Sequence, residues 1–210
     1  MRCGILCRVY DLLLDELGPQ YWWPADSAFE VIVGAMLTQQ TKWTNVEKAI
    51  NGLKEHDLLE VGSLASADIE LLEGLVRCCG FYRQKASRLK GMAGFFAEQG
   101  MEQVFSMPVD ELRRTMLSLK GVGNETADSI VLYAADKPKF VIDAYTTRMM
   151  KCIGIEGNYM QLQRMFEEQL PEDVGIYKEY HALIVEYSKA YCGRDRCNEC
   201  ILKDLNENGC

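Results

Sequence analysis

Apolar residues recur at helical spacing in segment after segment of this 210-residue chain, and that repetition constrains its fold more than any other feature. Phe29, Ile32, Val33, Met36 and Leu37 make one stripe, Val46, Ala49, Ile50 and Leu53 a second, and Ala86, Leu89, Ala93 and Phe96 a third. Leu112, Met116 and Leu119, then Ala127, Ile130, Val131 and Ala134, then Leu183, Ile184, Tyr187 and Tyr191 continue the pattern. Alternating strand patterns are nearly absent, and the one β-like fragment, "KFVID", is too short to build a sheet. The chain therefore reads as all-α, with roughly ten helices at ordinary helix and loop lengths. Stripes of this kind are core, so their residues receive no functional role.

Hydrophobic residues make up 48% of the chain and charged ones 26%, ordinary values for a soluble globular protein. The longest apolar runs, such as "VIVGAML", are too short to span a bilayer, and the opening "MRCGILCRVYDLLLDELG" has acidic residues where a signal peptide is uniformly apolar. The expectation is a cytoplasmic protein. A formal charge of −8 argues against indiscriminate nucleic-acid binding through a basic surface and leaves room for a local cationic strip. Arg83, Lys85, Arg88 and Lys90 in "RQKASRLK", with Arg113, Arg114 and Lys120, are candidates for such a strip; a solvated helix face is the other reading of each.

Gly121 and Gly123 in "LKGVGNET" permit a tight backbone of close approach, and a helix starting near Glu125 would leave unpaired N–H groups pointing back at the turn. Such a turn can hold a phosphate without net positive charge on the protein. Taken alone, the two glycines fit a plain helix–turn–helix corner as well. Asp143 follows Gly123 by twenty residues, in "VIDAYTTR". Four of the nine cysteines, Cys192, Cys197, Cys200 and Cys210, crowd the last nineteen residues, which favours a metal centre over disulfides where no secretion signal is read. Cys3, Cys7, Cys78, Cys79 and Cys152 read as buried or partly buried thiols.

Glycine hairpin, helix, "VIDAYTTR" and terminal cysteines together resemble the helix-hairpin-helix DNA glycosylases of the endonuclease III superfamily, over roughly residues 20–210. The resemblance implies two helical lobes: a six-helix barrel over 20–134 with its hairpin at 119–126, and a terminal lobe of 1–19 plus 135–210 that carries the cluster loop, 192–210. Trp22 and Trp43 would line one wall of a DNA-facing cleft and Asp143 the other. In that family the hairpin clamps the DNA backbone, here through Lys120, Gly121 and Gly123, and often binds a monovalent cation. An aspartate at the start of a later helix sits beside the sugar of a flipped-out nucleotide, and Asp143 matches it; an N-cap role for Asp143 is compatible with this. "CNECILKDL" looks like the family's iron–sulfur loop, which implies a [4Fe–4S] cluster, with four-thiolate zinc as the competing occupant. The spacing departs from the family pattern: the first loop is short, and Asn206 stands where the fourth cysteine is expected.

Family members that also cut the strand carry a lysine in the helix after the hairpin; Glu125 stands there, and a glutamate cannot form an imine. A monofunctional enzyme with water as nucleophile is implied, with Glu125 complementing the helix dipole. The stretches "YWWPADSAFEVIVGAMLTQQTKWTNV" and "GFYRQKASRLKGMAGFF" look like 3-methyladenine DNA glycosylase III, a branch of the same superfamily. Trp22, Trp23, Pro24 and Trp43 match its base pocket, where indole faces favour an electron-poor alkylated purine by about 1–2 kcal/mol per good contact. Gln39 or Gln40 matches the side chain pushed into the vacated base stack, and Gln40 is favoured. The expected protein is a nucleoid-associated monomer acting on double-stranded DNA with a damaged base. The alternatives are an endonuclease III-like enzyme for oxidised or mismatched bases and a non-catalytic iron–sulfur DNA-binding protein.

Overall fold

The computed structural model describes residues 4–192, 196 and 199–205. Twelve α-helices and no strand occur among them. In chain order they are α1 (Ile5–Leu17), α2 (Ala28–Leu37), α3 (Trp43–Glu55), α4 (Val61–Ser66), α5 (Ile69–Leu75), α6 (Tyr82–Gln99), α7 (Met101–Ser106), α8 (Val109–Ser118), α9 (Asn124–Ser129), α10 (Ala144–Cys152), α11 (Tyr159–Gln169) and α12 (Val174–Ala190). The all-α expectation holds, and the predicted stripes are the buried faces: Ile32, Leu37, Leu53, Ala86, Leu112 and Ile130 are all fully or almost fully inaccessible. No helix among the described residues is long and apolar enough to cross a membrane.

The chain divides into two compact units, one of residues 25–136 and one of 1–24 together with 137–210. Residues 20–24 thus go with the terminal unit, whereas the sequence analysis drew the boundary at 20. In the 25–136 unit, Ser27 caps α2 by accepting from the Glu30 N–H (3.1 Å), and Asp68 caps α5 through the Leu71 N–H (2.9 Å). A π-helical turn over Ile130–Ala134 extends α9, closed by the Ala135 N–H on the Ile130 carbonyl (2.9 Å), and all five of its residues are buried.

In the terminal unit Phe140 is the packing centre. Its ring stacks on Phe166 at 4.0 Å between centroids and meets Tyr177 and Tyr180 edge-on. "KFVID" is extended without becoming a strand, because its backbone is satisfied by side chains of α11. The Phe140 N–H donates to Glu167 (3.1 Å), the Phe140 carbonyl accepts from Gln163 (2.6 Å), and the Ile142 N–H meets the Tyr159 hydroxyl (3.5 Å). The segment ends at Asp143, which is held by what anchors 140–142.

Candidate functional site

Asp143 is the N-cap of α10. Its Oδ1 accepts from the Thr146 N–H at 2.7 Å, the usual way a short acidic side chain answers an open helix N-terminus. Its Oδ2 lies 3.5 Å from Nε2 of His181, a residue of α12 that is only 4% exposed. Partial burial pushes the Asp143 carboxyl up, but the His181 imidazole beside it, with the Thr146 N–H, pulls it further down, and the net shift is below its ordinary value. Asp143 is therefore a partly buried, capped carboxylate that is ionised at neutral pH.

Trp22 shares this unit. Its ring lies 5.8 Å from the His181 ring, tilted by 50°, and 5.9 Å from the Trp23 ring; the Lys189 ammonium stands 5.9 Å from its centroid. Trp22 and Trp23 are half-buried and Pro24 is exposed. Trp43, the half-buried first residue of α3, belongs to the other unit, so Trp22 and Trp43 do not share a lobe as the sequence reading had them. Sequence reasoning missed His181, which sits inside the apolar stripe of α12 and had no local signal beyond being one of two histidines.

The hairpin of the 25–136 unit is α8, a turn and α9. Gly121 has φ +85, the left-handed region that favours glycine, and a Cβ there would sit 2.4 Å from Cδ and Nε of Arg88, whose flexible end would have to move aside. Gly123 is different: its backbone is extended and a Cβ would enter open space. Arg113 joins α8 to α9, with Nη2 at 2.9 Å from Asn124 and 3.1 Å from Asp128. Gln39 braces the turn from α2's end, donating to the Gly121 carbonyl (2.9 Å) and to the Thr126 hydroxyl (3.0 Å) while accepting from Arg88 (3.3 Å). Lys120 and Glu125 are exposed.

Gln40, next to this brace, is exposed with φ +54. Its turn is anchored by Lys85, whose ammonium donates to the carbonyls of Leu37, Gln39 and Cys79 (2.9 Å each) and to the Thr41 hydroxyl (2.6 Å). Burial lowers the Lys85 pKa, Arg88 lowers it further, and the Cys79 and Cys78 thiols act the other way. Of the cationic strip considered around "RQKASRLK", Lys85 turns inward at 4% exposure, Lys90 donates to the Ala67 carbonyl, and Arg88 and Arg113 brace the hairpin. Arg83, 3.6 Å from Glu73, is exposed, as are Arg114 and Lys120.

Among the described residues no group of three or more His, Cys, Asp or Glu side chains is placed to hold a metal ion. Cys197 and Cys210 of the expected ligand set lie outside the described residues, as does Cys3. Cys200 is buried, and its Sγ accepts from the Tyr187 hydroxyl at 3.1 Å. Burial pushes the Cys192 thiol up to about 12, with Cys152 and Cys200 near enough to add to the shift. Of the four thiols that the expected cluster would need, Cys192 is half-buried and Cys200 buried. Cys78, read from the sequence as at least partly buried, is exposed; Cys79 beside it is buried.

A hairpin with a glycine turn, and a separate helix capped by a carboxylate whose histidine neighbour lies against an indole, are the marks of a helix-hairpin-helix DNA repair enzyme. The family model for HhH-GPD superfamily base excision DNA repair proteins matches residues 33–177, and the chain belongs to that superfamily of DNA glycosylases. A protein of Methanocaldococcus jannaschii provisionally named a DNA repair glycosylase is 46% identical over 96% of this chain and 95% of its own length. Endonuclease III of Thermotoga maritima is 28% identical over 84% and 81%. The crystal structure of an H. pylori 3-methyladenine DNA glycosylase bound to 1,N6-ethenoadenine superposes with a TM-score of 0.78 at 33% identity, covering 89% of this chain and 96% of that one. A non-covalent endonuclease III–DNA complex superposes at 0.81 with 20% identity over 96% and 94%, a likeness of fold.

Proposed function

We propose that this glycosylase removes alkylated purines from double-stranded DNA by hydrolysis, with Asp143 as its catalytic carboxylate. The observation that carries the reading is the state of Asp143: partly buried, capped through Oδ1, 3.5 Å from His181 at Oδ2, ionised, and in one unit with Trp22. The likeness to a 3-methyladenine glycosylase at 33% identity supports the lesion class. An alkylated purine already carries positive charge and leaves without strong acid catalysis, so the protein's task is to offset charge developing on the sugar and to direct a water. The Asp143 carboxylate does the first by its charge and the second by accepting the water's proton. Trp22, Trp23, Pro24 and Trp43 take the base, and electron-rich indoles favour a cationic purine over a normal one. Lys120 and the N–H groups after Gly121 and Gly123 hold a backbone phosphate, where the same turn can also seat a monovalent cation on its carbonyls. Gln40 fills the space left in the stack.

Glu125, an exposed acid in the first turn of α9, offers no amine, which supports hydrolysis without strand cleavage. Cys192, Cys197, Cys200 and Cys210 would hold a [4Fe–4S] cluster in this reading, which takes no part in base release. The protein acts as a monomer in the cytoplasm, at the nucleoid.

The test is base release from duplexes carrying single defined lesions, comparing wild type with Asp143→Asn and scoring strand cleavage with and without alkali. Free alkylated purine, an abasic site cut only by alkali and an inactive variant are expected. Release of oxidised pyrimidines instead would assign the lesion class of endonuclease III; cleavage without alkali, with a borohydride-trapped adduct, would overturn the monofunctional mechanism. No release from any lesion, with DNA binding intact, would place the protein among non-catalytic binders.

A further inference from the structure

A carboxylate that must stay ionised and aimed while nearly out of water needs donors that act on it from fixed positions. Thr146 supplies one to Oδ1, but as a backbone N–H of the same helix it cannot set the rotation of the carboxylate plane alone. The second contact, at ion-pair distance, comes from a different element. His181 is carried on α12 at 4% exposure, with Nε2 3.5 Å from Oδ2 and its ring against Trp22 at 5.8 Å. Both flanks of the imidazole are thus occupied by groups assigned to catalysis and base binding.

We propose that His181 is a positioning residue for Asp143: its Nε2 edge holds Oδ2 and ties the orientation of the carboxylate to the placement of Trp22. This deepens the glycosylase reading and rests on it for its catalytic consequence. The imidazole acts through Asp143 and not on the leaving base. Tyr159 of α11, which meets the Ile142 amide at 3.5 Å, and Lys189 of α12, which lies over Trp22, are titratable groups on the packed elements. Among the groups that lower the Asp143 carboxyl, His181 leads.

The experiment compares wild type, His181→Phe and His181→Gln by two measurements: a carbon-13 titration of the Asp143 carboxyl, and single-turnover release from a duplex containing one 3-methyladenine. His181→Phe should raise the apparent pKa of Asp143 by about one unit or more and slow release at least about tenfold, with lesion-duplex Kd changed less than about twofold. The acidic limb of the pH–rate profile should move upward with it. His181→Gln, whose amide N–H reaches close to the position of Nε2, should recover most of the rate and the low pKa. An Asp143 titration that is the same in all three proteins overturns the proposal, whether or not base is released. If His181→Phe shifts that titration but wild type releases no base, His181 positions Asp143 and it is the assigned activity that fails. Equal rate loss in both variants, in proportion to lost thermal stability, would reduce His181 to a packing residue and overturn the proposal.

Discussion

The side chain of Arg88 occupies the space that a Cβ on Gly121 would need, with Cδ and Nε both 2.4 Å from that position. The hairpin turn is therefore seated against the Arg88 side chain of α6, and it is φ +85 that calls for glycine, since the end of the arginine can move aside. Gly121→Ala should destabilise the protein by about 1–3 kcal/mol and weaken duplex binding, whereas Gly123→Ala, extended and open, should change stability by less than about 0.5 kcal/mol. Thermal denaturation of the two variants side by side checks this; equal losses would mean that the turn does not depend on the left-handed conformation at Gly121.

Gln39 and Gln40 are adjacent and have opposite environments. Gln39→Ala removes three hydrogen bonds that brace the turn and should cost about 1–2 kcal/mol in denaturant unfolding. Gln40→Ala replaces an exposed side chain at an unchanged backbone conformation, so stability should stay within about 0.5 kcal/mol. Lesion-duplex affinity, measured by anisotropy, should fall for Gln40→Ala even so; if it does not, Gln40 is not the stack-filling residue.

Lys85 is a buried ammonium with four acceptors, and the turn carrying Gln40 hangs on it. Lys85→Met keeps the bulk of the side chain and removes every donor, leaving three carbonyls and a hydroxyl to find new partners. A loss of about 3 kcal/mol or more is expected in urea unfolding, far above the effect of Lys120→Met, whose side chain is exposed.

The depressed Asp143 carboxyl gives stability a definite pH dependence. Its folded pKa lies below the unfolded value near 3.8, so its contribution is fully present above that value and is lost as pH falls through the folded pKa. Asn caps a helix as well as Asp. Wild type should thus exceed Asp143→Asn in stability at pH 6, and the difference should shrink steadily below about pH 4. A difference that is flat from pH 6 to pH 3 would show that Asp143 gains nothing from ionisation in the fold.

Local signals were legible in the sequence: helical periodicity, the glycines of the hairpin, and an aspartate before "AYTTR" able to cap the helix that follows. Each is written within a few residues, because a helix selects its own buried face and a cap meets N–H groups three positions on. Charge in "RQKASRLK" was only partly informative, since a lysine's position in sequence does not tell whether its ammonium meets water or, as at Lys85, carbonyls 46 and 48 residues earlier.

His181 was hidden for the same reason. Along α12 it reads as one more residue between Tyr180 and Leu183, and only the packing of α10 against α12 brings it to Asp143, 38 positions away in the chain. Composition and spacing thus determined the helical class, the hairpin and the capping carboxylate by themselves, since those depend on contacts within one or two helical turns. The tertiary structure alone decided which charges are buried, which glutamine is left exposed and which side chain orients Asp143. Those outcomes depend on distances between elements far apart in sequence, and the desolvation that makes them matter exists only once the elements have packed.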